Sequence, residues 1–175
     1  TFNSVKFVSQ LCESVLGQTY NNLEIIVVDN FSSDNTLNEI KKHNNNDKRF
    51  KFFQIDNKGV IAKSRNYGIK HSTGEFIAFH DSDDFWYKNK IQTSLEYIKN
   101  NDFTYHHLLT QNKKNFFLHN KKLFSYQLSK QPFIDLMTLG NPISTSSVVC
   151  KKSIFYDNNF FSEDRKLTAV EDFNC

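Results

Sequence analysis

The sequence predicts an α/β fold, a mostly parallel, doubly wound sheet with helices on both faces. From Val5 to Lys99, stretches with helical spacing alternate with short apolar runs, and that alternation builds parallel sheets. Two of the runs, Leu23 to Val28 and Phe76 to Phe79, are continuous rather than alternating, as strands buried on both faces are. Both lead into carboxylates, Asp29 after the first and the Asp81, Asp83 and Asp84 turn after the second.

Taken in order, Val5 to Leu16 places Val5, Val8, Leu11, Cys12, Val15 and Leu16 at the spacing of an amphipathic helix, and Gly17 closes it. The Leu23 to Val28 strand follows. Ser32, Ser33 and Asp34 offer N-cap side chains for a helix from about Asn35 to His43, and Asn44 to Asp47 is a polar turn. Phe50 to Ile55 is the next strand. Asn57-Lys58-Gly59 breaks it, Val60 to His71 is helical with Arg65 and Asn66 in its middle, and Ser72-Thr73-Gly74 ends that helix. The strand at Phe76 and its acidic turn then lead to a helix from Lys88 to about Lys99, with Ile91, Leu95 and Ile98 on one face. Beyond it the pattern is less regular. Phe103 to Leu109, Asn115 to Leu118 and Ser146 to Cys150 read as strands, Lys121-Lys122 as near a turn, and Phe133 to Leu139 as a short helix ended by Gly140.

A chain of 175 residues suits one domain with a proper core. Its 18 Phe and 7 Tyr are many, but a net charge of +3 with no basic cluster among the aromatics excludes a nucleic-acid surface. Cys12, Cys150 and Cys175 are far apart with no CxxC, and read as reduced thiols of a cytosolic protein. The aliphatic run Ile25 to Val28 is far short of a membrane span. Thr1-Phe2-Asn3 follows neither an initiator Met nor a strand, so the chain is expected to be a fragment.

Chemistry concentrates in the stretch Glu75 to Trp86. In open α/β sheets ligands bind outside the carboxyl ends of the strands, so the acidic turn points into a site. Carboxylates this close raise one another's pKa unless a cation or hydrogen-bond donors compensate, and an oxygen-only set suits Mg2+ or Mn2+ rather than zinc. The alternative is an acidic turn that caps the following helix. Neither GxGxxG nor GxxxxGK[ST] is present, so a nucleotide would be held without those phosphate loops. His106, His107 and His119 lack a third ligand at metal spacing and receive no role.

With these residues in view, the chain resembles the family 2 glycosyltransferases, an inverting group with a GT-A fold. Thr1-Phe2-Asn3 is similar to the family's Thr-Tyr-Asn after its first strand, and Ser14 to Tyr20 to its "SVL.QTY" helix end. Leu23 to Thr36 resembles "LEIIVVD..S.D.T", and Asn57 to Val60 with Arg65 to Ile69 resembles "N.G...ARN.GI". Ser72 to Trp86 resembles "S.GE.I.FLDSDD.W", and Glu171-Asp172 stands where the family has its "ED" pair.

The resemblance implies roles. Asp29 would accept a hydrogen bond from the nucleotide base, and suits uracil, thymine or guanine donors. Thr1 and Asn3 would lie beside the same pocket, and Arg65 near the diphosphate. Asp81-Ser82-Asp83 would be the family's DxD, with Asp81 facing the ribose or reaching the metal through water and Asp83 ligating it, while Asp84 caps the next helix. Asp172 would be the general base, with Glu171 and Glu163 as the alternatives. The implied organisation is one GT-A domain over residues 1–175, a nucleotide-binding half at 1–100 and an acceptor-side half at 101–175, shortened at both ends and without its first strand.

The implied enzyme moves a sugar from a nucleotide diphosphate donor, UDP-sugar favoured, to a glycan or lipid-linked acceptor in surface-polysaccharide assembly. Mg2+ or Mn2+ is the expected cofactor. The expected location is the cytoplasm, with peripheral association at the inner face of the cell membrane through segments outside this chain. Two other classes compete. One is a non-catalytic sugar-nucleotide-binding module, and the other a nucleotidyltransferase, which would need a Gly-rich basic phosphate loop that the N-terminal region lacks.

Overall fold

The computed structural model describes residues 1–110, 121–123 and 125–167. The expected strand at Asn115 to Leu118, together with His119, Glu171, Asp172 and Cys175, lies outside the described residues. Within them, α1 (Val8–Leu16), β1 (Ile25–Asp29), α2 (Thr36–His43), β2 (Phe50–Gln54), α3 (Ile61–His71), β3 (Phe76–Ala78) and α4 (Lys90–Tyr97) follow in the expected order. A single 3-10 turn at Val5–Phe7 precedes α1. The helix predicted as one unit from Val5 is therefore split, and only its second part is α-helical.

β1 and β2 pair in parallel, with Val27 opposite Phe52. β3 pairs antiparallel with β7 (Val149–Lys151), and β7 also pairs antiparallel with β4 (Phe103–Thr104). Two strands antiparallel to the same neighbour run parallel to each other, so β3 and β4 share a direction and β7 is the reversed strand between them. β1 and β3 also run the same way. Glu24 before β1 accepts a 2.7 Å hydrogen bond from the backbone N–H of Thr73 before β3, and the carboxylates after both strands, Asp29 and Asp81, act on the amino group of Thr1. Among the described residues the strands lie in separate pieces of sheet, β1–β2 parallel and β3–β7–β4 antiparallel, but β1, β2, β3 and β4 share one direction, as the apolar runs predict.

The predicted strand Phe103 to Leu109 is in fact two. After β4 the chain turns out at Tyr105–His107, and β5 (Leu108–Thr110) pairs antiparallel with β6 (Lys121–Leu123). Lys121 and Lys122 thus lie in a strand. α5 (Pro132–Leu139) starts with proline at its first turn, where the missing N–H loses no helical bond, and Gly140 follows at φ 83. The Ser146 end of the last predicted strand is a 3-10 turn, Thr145–Ser147, and α6 (Ser153–Asp157) follows β7.

Helices cover both faces. Val8 and Cys12 of α1 and Ile40 of α2 pack with Val27 of β1, while Ile26 and Val28 turn their γ-methyls toward Gly68 of α3. β3 divides in the same way: Phe76 and Ala78 pack with Trp86, Ile91 and Ile98, while Ile77 and Phe79 pack with Val60, Ala62, Ile69, Phe155 and Phe161. The two-sided burial explains why both strands read as unbroken apolar runs. Gln18 ties α1 to α4, since its amide donates to the carbonyls of Ser14 and Tyr87 and accepts from the N–H of Ile91. Gly17 ends α1 at φ −79, so the need is space: a Cβ there would stand 2.8 Å from the Glu13 carbonyl oxygen.

Candidate active site

The carboxyl ends of β1 and β3 open on the same side, and residues 1–5 form a strap across them. Thr1 Oγ1 donates to Asp29 Oδ1 at 2.9 Å, and Ser4 Oγ lies 2.8 Å from Ser82 Oγ in the acidic turn. Asn3, at φ 46, accepts from the backbone N–H groups of Ser33 and Asp34 at 2.8 and 3.3 Å, and its own N–H donates to Ser32 Oγ. The N–H of Ser4 donates to Thr36 Oγ1 and that of Val5 to Asp34 Oδ2. Asp34 also accepts from the Thr36 N–H at 3.0 Å, so it caps α2, where Asn35, at the N-cap position, makes no side-chain capping bond.

Asp29 is fully buried. Its carboxylate accepts from Thr1 Oγ1, from Ser32 N–H and Oγ at 3.0 and 2.5 Å, and from Gln54 Nε2 at 3.2 Å. Burial alone would raise its pKa, but these donors, Ser32 first, outweigh it and hold the carboxyl below the ordinary range. Four bonds use about all the acceptor positions of a carboxylate. These bonds fix Thr1 and the Ser32 loop at the rim, beside the carboxylate that the resemblance assigns to a nucleotide base.

The acidic turn is held from behind. Ser146 Oγ accepts the Asp81 N–H at 2.9 Å, the Ser146 carbonyl accepts Trp86 Nε1–H at 2.9 Å, and His80 Nδ1 lies 2.8 Å from the Asp81 carbonyl. Asp81 faces Arg65 of α3, Nη2 to Oδ1 3.6 Å, and Arg65 Nη2 also donates to Thr145 Oγ1 at 3.2 Å. Burial pushes the Asp81 carboxyl above its ordinary pKa, Arg65 pulls it back, and Asp84 and Asp83 push it up again. Asp83 and Asp84 are exposed. Asp84 does not cap α4, which begins at Lys90 behind the N-cap position Asn89; its own N–H instead closes a turn on the Asp81 carbonyl at 3.1 Å.

Among the described residues, no three His, Cys, Asp or Glu side chains form a closed metal cage. Two carboxylates spaced as Asp81 and Asp83 still suit Mg2+ or Mn2+, which takes one or two carboxylates and completes its shell with water and phosphate oxygens. Burial first, and then the neighbouring Asp84 and Asp83, raise the Asp81 pKa against the pull of Arg65, and a cation there would offset that cost.

Of the residues named from the sequence, Thr1, Asn3, Asp29 and Asp81 lie at the strap and turn, with Arg65 of α3 facing Asp81. Asp83 lies on the exposed side of the turn, and Asp172 is outside the described residues. Sequence reasoning missed Ser4, Ser32, Ser82, Thr145 and Ser146. The hydroxyl run Ser144 to Ser147 was the available signal for the last two. It also gave no use to Asn66. That side chain is buried in α3, donates to the Phe161 carbonyl and Glu163 Oε1, both at 2.9 Å, and accepts from the Phe161 N–H at 3.1 Å. Asn66 thereby fixes the segment at Phe161 to Glu163 beside Arg65.

The fold and the arrangement of carboxylates define an α/β domain of the GT-A type. The model of the glycosyl transferase family 2 matches residues 1–156, and the chain belongs to that family. An uncharacterized glycosyltransferase of Rickettsia felis is 34% identical over 161 residues, 91% of this chain and 26% of that protein. The Escherichia coli protein named UDP-Glc:alpha-D-GlcNAc-diphosphoundecaprenol beta-1,3-glucosyltransferase WfgD is 35% identical over 105 residues, 60% of this chain and 41% of its own. Among solved structures, residues 1–349 of S. aureus TarS in complex with UDP superpose with TM-score 0.71 at 27% identity, covering 98% of this chain and 50% of that one. The chain thus spans half or less of the length of these relatives.

Proposed function

We propose that this chain is the donor-binding part of an inverting glycosyltransferase that takes a sugar from a nucleotide diphosphate, uridine favoured, and passes it to a hydroxyl of a glycan or lipid-linked acceptor in surface-polysaccharide assembly. The carrying observation is the Asp81 turn facing Arg65 at 3.6 Å beside the strap that closes on Asp29. Such a mouth offers a guanidinium for phosphate oxygens and carboxylates for a cation within one opening. The uridine preference is supported by the names of WfgD, a UDP-Glc transferase, and of TarS, solved with UDP.

Asp83, with Asp81 directly or through water, would hold Mg2+ or Mn2+, and the cation when bound neutralises charge on the departing diphosphate. Arg65 orients that diphosphate from α3, and its bond to Thr145 keeps the guanidinium from collapsing fully onto Asp81. Asn3 and the Ser32 loop form the wall on the base side. Asp172 would take the proton of the acceptor hydroxyl as it attacks from the face opposite the diphosphate, so one displacement inverts the anomeric centre. Such an enzyme works where nucleotide sugars are made, in the cytoplasm or at the inner face of its membrane.

Calorimetry of UDP and GDP against the chain, with and without Mn2+, tests the donor reading. UDP is expected to bind only with the cation, and equal, cation-independent affinity for both nucleotides would overturn the reading. Asp172→Asn in a longer parent separates an enzyme from a binding module. Donor binding should stay and transfer should fall about 10²–10⁴-fold, the usual contribution of a positioned acid–base group.

A further inference from the structure

Beside β4 lies a cavity of about 340 Å³, at the small end of the range for ligand pockets, about 300 to 1,000 Å³. Asn100, Asn101 and Asp102 before β4, Phe103 and Tyr105 at β4, and Gln127 after β6 line it. None of them belongs to the mouth at Asp81. Phe103 stands opposite Cys150, and Cys150 opposite Ile77, so the cavity is level with the middle of β3. Neighbouring strands lie about 4.8 Å apart, which puts β4 about 10 Å across the sheet from β3.

Its lining combines two chemistries. The rings of Phe103 and Tyr105 are stacked, with centroids 6.1 Å apart and planes within 19° of each other, and Phe103 is 41% exposed. Tyr105 is locked in place, since its hydroxyl donates to the Tyr126 carbonyl at 2.6 Å and accepts from the Leu128 N–H at 3.2 Å. Around this aromatic strip stand the exposed amides of Asn100, Asn101 and Gln127, and the Asp102 carboxylate, which Lys151 Nζ steadies at 2.9 Å. An apolar ligand would desolvate those amides without pairing them. A phosphate would meet Asp102, whose one lysine is already engaged. A sugar ring suits both parts: its C–H face carries positive partial charge to the negative face of an aromatic ring, and its hydroxyls pair with planar amides and a carboxylate. We propose that this cavity is a second saccharide site, which holds a sugar residue of the glycan acceptor away from its reacting end. The ring lies on Phe103 and Tyr105, and Asn100, Asp102 and Gln127 take its hydroxyls. The occupant rests on the glycan-acceptor reading above. A foothold outside the mouth raises the effective concentration of the reacting hydroxyl within it.

NMR titration of the chain tests the site. The probes are the methyl glycosides of glucose, galactose and N-acetylglucosamine, with glycerol as a polyol that has no ring face. At least one glycoside is expected to give saturable shifts at the side-chain amides of Asn100, Asn101 and Gln127 and at the backbone of Phe103 and Tyr105. Addition of UDP and Mn2+ should not displace it. Phe103→Ala and Gln127→Ala should each weaken binding about tenfold, the loss of one stacked face or one hydrogen bond, and Phe103→Tyr should keep it. Gln127 is exposed, so its variant reads the site even where Phe103→Ala disturbs the fold. Shifts that fail to saturate, that glycerol reproduces, or that fall on Arg65 and Thr145 in place of the cavity overturn the proposal, and so does the absence of shifts with all three glycosides. Calorimetry of UDP separates the two readings. Glycoside binding without UDP binding keeps this site and fells the donor reading, and UDP binding without glycoside binding does the reverse.

Discussion

Two strands of this protein that run the same way lead into aspartates, Asp29 at the end of β1 and Asp81 just beyond β3, and the protein treats them in opposite ways. Asp29 is fully buried, accepts four hydrogen bonds and is held below the ordinary carboxylate pKa. Asp81 has a backbone held by Ser146 and a carboxylate facing Arg65 at 3.6 Å, with Asp83 and Asp84 adding to its burden, and its pKa is raised. A carboxylate satisfied by its own chain is structural. One left with surplus charge at the mouth of a site is where a cation from outside has most to offer.

The largest effect should come from the undersatisfied end. Asp83→Ala is expected to weaken cation-dependent UDP binding about tenfold to hundredfold, the loss of one contact between charged partners. Removal of the divalent ion with EDTA should bring the parent chain to the same weak affinity. Acid should do likewise. A cation must displace a proton from Asp81, and because that pKa is raised, binding should fade at a higher pH than an ordinary carboxylate would set. An Asp83→Ala protein that keeps full, EDTA-sensitive affinity would break the contrast.

At the satisfied end the expected loss is in stability. Asp29→Ala leaves the N–H of Ser32 and the amide of Gln54 without their acceptor and should lower the unfolding free energy by about 1–3 kcal/mol. The sign with pH follows from the depressed pKa. Asp29 contributes stability above its unfolded pKa of about 3.9, and that stability is lost as pH falls through the lower folded value. The parent should lose stability there and Asp29→Asn should not. If Asp29→Ala unfolds normally but loses UDP, the side chain serves the base directly and the contrast between the two aspartates disappears.

Strand and helix order was legible because two-sided burial leaves an unbroken apolar run and one-sided burial leaves a helical stripe, and both survive in Ile25 to Val28 and in α1. What stayed hidden depends on partners distant in the chain. Nothing local marks β7 as reversed, because direction is set by where the chain returns from. Ser4 meeting Ser82, or Ser146 holding Asp81, spans more than sixty positions. Motifs supplied the identity of the aspartates, and only packing shows that Asp29 is already satisfied.

Lys90 provides a smaller measure of the same contrast, a buried charge with few partners and no ligand to wait for. Its Nζ lies 3.3 Å from the Val148 carbonyl oxygen and 4.2 Å from the centre of the Trp86 ring. Burial lowers its pKa to about 7, with Cys150 opposing slightly. Between that value and the unfolded value near 10.4 the unfolded chain binds more protons than the folded one, so stability rises with pH across this window. Below pH 7 the folded protein carries the full penalty of a buried ammonium. Lys90→Met keeps the length and apolar stem of the side chain and removes the charge. Urea unfolding should find the variant more stable than the parent at pH 6 by about 1 kcal/mol, with the gap narrowing as pH rises from 7 toward 10. A gap that stays constant with pH would mean that the ammonium is solvated in the folded protein.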